Sequence, residues 1–253
     1  MTVSRAELLA QFDTLLQPAN FKDYGPNGLQ VEGKAEIGKI VSGVTASLAL
    51  IDAAIEAKAD AIFVHHGLFW RGQDGRVVGW MKQRLAKLLA HDINLYAYHL
   101  PLDAHPELGN NAQLGKLLGF APLEQRFGDY NLGWLGKPQQ NHAAKLAQHV
   151  EKTLGRKVQL ITAPEHLQRD IKTVAWCTGG AQDWFEAAIA AGADAFITGE
   201  LSEPQTHLAR ECGVAFLACG HHATERYGAP AAAAHIAAQL GLAHEFVDVP
   251  NPA

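Results

Sequence analysis

Residues 40–68 read IVSGVTASLALIDAAIEAKADAIFVHHGL, and the pattern returns 134 positions later, at 174–202, as VAWCTGGAQDWFEAAIAAGADAFITGELS. Between 53–61 and 187–195 seven of nine residues are identical, and the surrounding hydrophobic pattern agrees. Self-similarity at about half the chain length points to a duplicated unit. In each copy a β-rich run (40–44, 174–177) leads through Gly, Ser and Thr turn residues into an Ala-rich helix (about 48–58, 183–191). The pair Ala-Asp then opens a second strand, at 61–64 or 195–198. This is a β-α-β unit, whose strands run parallel.

The likeness extends outward more weakly. Residues 92–98, DINLYAY, resemble 213–219, GVAFLAC. Each reads as a short apolar strand after a helix, and each enters a polar loop and a further helix that ends in Leu-Gly, at 118–119 and 240–241. A helix over 4–16 precedes the first copy. Residues 121–138 are rich in Gly, Pro and aromatics and read as a linker, followed by an amphipathic helix over about 141–154. The expected fold class is α/β, with two related lobes at 1–125 and 126–253. The part from about 213 to 253 is free to pack with the first lobe.

A chain of 253 residues buries roughly 70–75% of its extended surface, enough to fold without staples. With 48% hydrophobic and 19% charged residues it has an ordinary globular balance, not that of a disordered chain. No apolar run reaches the roughly 18 residues of a membrane helix, and residues 1–7 lead into an amphipathic stretch; the expected compartment is the cytoplasm. The three cysteines (Cys177, Cys212, Cys219) form no CxxC pair, which argues against a disulfide framework and excludes a zinc ribbon. A net charge of −5 with scattered cations disfavours nonspecific nucleic-acid binding, without excluding a local groove. The compositional oddity is 13 histidines against 5 tyrosines and 5 tryptophans.

Several of these histidines fall just past strand ends, where open α/β sheets place their sites. His65 and His66 precede Gly67; adjacent strand residues face opposite ways, so the two converge only if the chain turns there. A surface loop with two hydrogen-bonded histidines is the plainer alternative. In His99-Leu-Pro-Leu-Asp103, Pro101 argues for a fixed loop presenting an imidazole and a carboxylate, although Asp103 also fits a helix cap. His221 and Glu225, after Gly220, share a helix face, a spacing that surface helices also produce by chance. Glu200 aligns with His66 in the repeat and is either a group that orients a ligand or accepts a proton, or a solvated carboxylate. Thr178-Gly179-Gly180 is an anion-binding helix start or a simple βα turn. HExxH and GxSxG are absent.

Two of the clusters occupy related places in the two halves. A duplicated fold would collect His65, His66, Asp103, His221 and Glu225 in one pocket. Three imidazoles and two carboxylates exceed what one four-coordinate ion needs and suit two divalent ions about 3.5–4 Å apart with a bridging carboxylate. Nitrogen and oxygen donors without thiolate favour iron, zinc or manganese.

The motifs Tyr24-Gly-Pro-Asn-Gly-Leu-Gln-Val-Glu-Gly33, Val64-His-His-Gly-Leu-Phe-Trp70, His99-Leu-Pro-Leu-Asp-Ala-His-Pro-Glu-Leu-Gly-Asn-Asn111, Ile197-Thr-Gly-Glu200 and Gly220-His-His-Ala-Thr-Glu-Arg226 resemble the NIF-three-like family. Its bacterial members are often labelled GTP cyclohydrolase type-two homologues, and the chain is similar to the short enterobacterial form. The resemblance covers nearly the whole chain and is weakest over about 119–169. It implies two intertwined α/β lobes with mixed sheets, a toroidal homohexamer and two divalent ions per subunit. The implied ligands are His65, His66, Asp103, His221 and Glu225, with Glu225 bridging and His99 beside the metals. The expected activity is metal-dependent hydrolysis of a small molecule, a nucleotide or purine ring, with His99, His222 or Glu200 moving protons. The alternative is a metal-loaded hexameric scaffold or regulatory binding protein with little turnover.

Overall fold

Strands Lys39–Thr45, Ala61–His66 and Asn94–Ala97 are parallel neighbours, as the β-α-β pattern requires. Ala243–Phe246 extends this sheet in parallel beside Lys39–Thr45, and Gly28–Val31 closes the other edge antiparallel to Asn94–Ala97. The computed structural model describes residues 1–253 and divides into two units, Met1–Gly109 with Gly228–Pro250, and Asn110–Tyr227 with Asn251–Ala253.

In the first unit side-chain alternation sends Ile40, Ala61, Phe63 and Tyr96 to one face of the five-stranded sheet and Val41, Ile62, Val64 and Leu95 to the other. Helices Arg5–Leu16 and Gly228–Leu240 supply the first face with Leu8, Phe12, Ala229, Ala233 and Ile236. Leu50, Ile51 and Ala54 of helix Leu48–Glu56, with Met81 and Leu88 of helix Gly79–Ala90, cover the second. Burial on both faces explains why these strands read as nearly continuous apolar runs.

The second unit has a six-stranded mixed sheet in the order Ala121–Phe127, Gly133–Lys137, Val174–Trp176, Ala195–Thr198, Ala215–Ala218, Gln159–Ile161. Its three strands Val174–Trp176, Ala195–Thr198 and Ala215–Ala218 are parallel. Trp176, Ile197 and Leu217 pack one face against Leu146, Val150 and Leu154 of the amphipathic helix Ala143–Leu154. Phe196 and Phe216 point to the other, where Phe196 stacks on Phe185 and Phe216 meets it edge-to-face.

The Ala-Asp pairs have a common structural use. Asp60 Oδ2 accepts the backbone N–H groups of Gly38 and Lys39 at 2.9 and 3.1 Å. Asp194 Oδ2, 134 positions on, accepts those of Lys172 and Thr173 at 2.8 and 3.0 Å. Each carboxylate thus ties the entry of its own strand to the entry of the neighbouring strand in its unit.

Three expectations need correction. Residues 121–138 are not a linker: Ala121–Phe127 and Gly133–Lys137 form an antiparallel hairpin at the sheet edge, the Gly and Pro residues serving its irregular register and turn. The division falls at Gly109/Asn110 instead of 125/126, while of the stretch 213–253 that was free to pack with the first lobe, 228–250 belongs to the first unit. Pro101 does not keep its segment from coiling, because it stands in the first turn of helix Leu100–Ala104, where a missing N–H costs nothing. No helix is long and apolar enough to cross a membrane.

Candidate metal centre

In the first unit the carboxyl ends of two adjacent parallel strands place His65 and His66 beside His99. His65 and His66 are the last residues of Ala61–His66, and His99 follows Asn94–Ala97 by two residues. Their rings lie 4.4 Å (His65–His66), 4.9 Å (His65–His99) and 5.7 Å (His66–His99) apart. One ligand atom from each lies within 4.8 Å of the others, close enough for a shared ion. The two neighbouring histidines converge although the strand runs through both, so the turn at Gly67 follows them instead of lying between them.

Each ring is held through Nδ1. His65, fully buried, has Nδ1 3.2 Å from the Tyr98 carbonyl oxygen. A carbonyl only accepts, so Nδ1 carries a proton, and in the neutral ring the lone pair is then at Nε2. That Nε2 lies 3.6 Å from Asp103 Oδ1. His66 Nδ1 lies 3.2 Å from the Thr45 hydroxyl. His99 Nδ1 lies 2.7 Å from Asp23 Oδ1. Burial of Asp23 opposes its ionisation, but hydrogen bonds from His99, Asn27 and the Tyr24 backbone prevail and bring its pKa down to about 2. An ionised Asp23 again fixes a proton on Nδ1, so that in the neutral ring the lone pair is at Nε2. This is the arrangement that orients metal-binding imidazoles. Trp70 meets the His99 ring edge-to-face at 5.1 Å.

In the second unit His221 and Glu225 occupy one face of helix His221–Glu225, with His221 Nε2 3.1 Å from Glu225 Oε2. His221 Nδ1 lies 2.6 Å from Glu200 Oε1. Burial works against the imidazolium, yet the Glu225 and Glu200 carboxylates raise its pKa to about 9. Thr224 accepts the Gly179 N–H at 3.0 Å, and Thr198 donates to the Gly179 carbonyl at 3.0 Å, fixing the Gly179 turn beside the helix. Gly179 has φ +69°, and a Cβ there would run into the Glu225 carboxylate. Thr178-Gly179-Gly180 is therefore a turn that leaves room for Glu225.

The expected residues thus form a set His65, His66, His99 and Asp103 on one unit and a set Glu200, His221 and Glu225 on the other. His222 is buried one residue past His221, about 100° further round the helix. Such imidazole and carboxylate groupings are able to hold a metal ion. Burial keeps the Cys219 thiol protonated by pushing its pKa far up, so it supplies no thiolate. Sequence reading missed Asp23, Thr45 and the steric role of Gly179. Asp23 stands one residue before the Tyr24–Gly33 motif, and that proximity was its only signal.

A mixed α/β fold with clustered imidazoles at strand carboxyl ends defines a candidate metalloprotein. The chain belongs to the Duf34/NIF3 (NGG1p interacting factor 3) family, whose model matches residues 3–252. It is 54% identical over 252 residues to a Neisseria meningitidis serogroup A protein named GTP cyclohydrolase 1 type 2 homolog, covering 99% of this chain and 100% of that one. Among solved structures it resembles protein ybgI, described as of unknown function, at 48% identity and TM-score 0.93 over 99% of this chain and 100% of that one. It also resembles TTHA1606 from Thermus thermophilus, at 34% identity and TM-score 0.87 over 99% and 100% of the two chains.

Proposed function

We propose that the two donor sets together hold two divalent ions, iron, zinc or manganese, and that the protein is a metal-dependent hydrolase of a small molecule, a nucleotide or purine ring being the substrate class. The ligands in this reading would be His65, His66, Asp103, His221 and Glu225. The observation that carries it is that Nδ1 of His65, His66, His99 and His221 is in each case within hydrogen-bond reach of an oxygen, which turns Nε2 toward a ligand. Unconnected surface histidines have no reason to share that arrangement. The name borne by the Neisseria relative supports the substrate class.

When bound, a divalent pair lowers the pKa of water toward about 7 and holds the group under attack. The chain's own residues orient and move protons. Glu200 accepts from His221 Nδ1 and steadies that ligand; partly exposed, it also has a carboxylate oxygen for a proton released at the edge of the site. His99 and His222 are the other proton carriers in this reading. The family resemblance adds a toroidal homohexamer, which sedimentation velocity of the purified protein tests.

The deciding experiment is elemental analysis of the purified protein, followed by a screen of nucleotides and phosphoesters with the metal-loaded protein and with His221→Ala. Turnover that needs metal and is lost in the folded variant is expected. Full occupancy without turnover on any compound would make the protein a metal-loaded scaffold. Absence of tight transition-metal uptake would remove the reading.

A further inference from the structure

We infer that Asp23 is the positioning residue of the first donor set, holding the His99 ring and the helix that carries Asp103 at the same time; this rests on the metal-binding reading above. Asp23 lies outside any helix or strand, yet its side chain is only 2% exposed. A buried carboxylate is costly unless its oxygens are satisfied, and here each accepts two hydrogen bonds. Oδ1 accepts from His99 Nδ1 at 2.7 Å and from the Tyr24 N–H at 2.6 Å. Oδ2 accepts from Asn27 Nδ2 at 2.9 Å and from the Leu100 N–H at 2.9 Å.

The last contact matters for Asp103. Leu100 opens the helix Leu100–Ala104, whose next residue, Pro101, has no N–H. Asp23 therefore performs, from 77 residues away, the satisfaction of a first-turn donor that an N-cap side chain supplies elsewhere. Asp103 is three residues along that single turn. Asn27 Oδ1 accepts the His99 N–H at 2.8 Å, so the loop grips His99 by backbone and ring together. A loop anchor alone would need the backbone contacts but not the bond to the ring. Through one carboxylate Asp23 is thus tied to the His99 ring and to the helix that carries the ligand Asp103.

The test uses the full chain, wild type and Asp23→Asn, with two readouts. Nitrogen-15 NMR of the metal-free protein, at a pH where the ring is neutral, reads the His99 tautomer. Competition with a chromophoric chelator reads zinc affinity. The wild type is expected to carry its His99 proton on Nδ1. Asp23→Asn is expected to lose that preference and, with the helix of the ligand Asp103 no longer held, to bind zinc about 10–100-fold more weakly, the scale on which loss of a group that orients a ligand weakens metal binding. A wild-type proton on Nε2 overturns the inference without any variant, which keeps it refutable where Asp23→Asn misfolds. A folded variant with unchanged tautomer and zinc affinity also overturns it. If the tautomer shifts while the wild type binds no zinc, the metal reading falls and the hold of Asp23 on His99 stands.

Discussion

At Gly179 the backbone has φ +69° and a Cβ would meet the Glu225 carboxylate, whereas a Cβ at the next residue, Gly180, would find only Glu200 side-chain atoms at 3.5 Å, an ordinary contact. Two neighbouring glycines therefore answer differently to the same change. Gly179→Ala takes on a left-handed conformation that costs an alanine about 1–3 kcal/mol and displaces the buried carboxylate as well. Gly180→Ala should fall within about 0.5 kcal/mol of wild type. Urea unfolding of the two variants measures the difference. Equal midpoints would mean that Glu225 does not occupy the space beside Gly179.

Between single residues and the sheet stand the Ala-Asp pairs that precede the second strand of each β-α-β segment. Burial pushes the Asp60 carboxyl up, but hydrogen bonds from Lys34 and from the Gly38 and Lys39 backbone outweigh it and hold its pKa below the ordinary 3.8. The folded form thus favours the ionised group more than the unfolded chain does. That stabilisation is fully present above pH 3.8 and is lost as the pH falls through the depressed value. Asp60→Asn is expected to unfold more easily than wild type at pH 6, with the gap narrowing toward pH 3, as measured by urea midpoints at both. Asp194→Ala, which strands the Lys172 and Thr173 N–H groups, should cost about 1–3 kcal/mol at neutral pH. The same pairs show what a sequence makes legible. Strands 40–44, 61–64 and 195–198 were readable because both sheet faces are buried and the runs are apolar. His65 and His66 were readable because they stood just past the run 61–64, and His221 and Glu225 because they stood just past the apolar run 213–219. Helix Leu100–Ala104 was hidden because proline within a first turn looks the same in sequence as proline that breaks one. The hairpin at 121–137 was hidden because its glycines and prolines carry the composition of a loop. Asp23 was hidden because its partners, His99 and Leu100, are 76 and 77 residues away and no local pattern encodes them.

For the molecule as a whole, the chain order of the two units makes an asymmetric demand on folding. The first unit is assembled from Met1–Gly109 and from Gly228–Pro250, a segment reached only after the second has been traversed. What returns is not peripheral. Ala229, Ala232, Ala233, Ile236 and Ala237 cover the sheet face formed by Ile40, Ala61, Phe63 and Tyr96, and Ala243–Phe246 pairs with Lys39–Thr45. Residues 1–109 expressed alone would expose that face together with an unpaired parallel edge, the combination that templates aggregation. The second unit is almost contiguous, since 110–227 already contains all six strands of its sheet and the helix Ala143–Leu154 that covers it. Expression of 1–109 is therefore expected to give insoluble protein, and 110–227 a soluble one with a cooperative thermal transition. Joining 228–250 to 1–109 through a flexible linker should restore solubility to the first unit, because it returns the missing helix and strand. Soluble, cooperatively unfolding 1–109 would show that helix Gly228–Leu240 is dispensable for that core, contrary to its burial there.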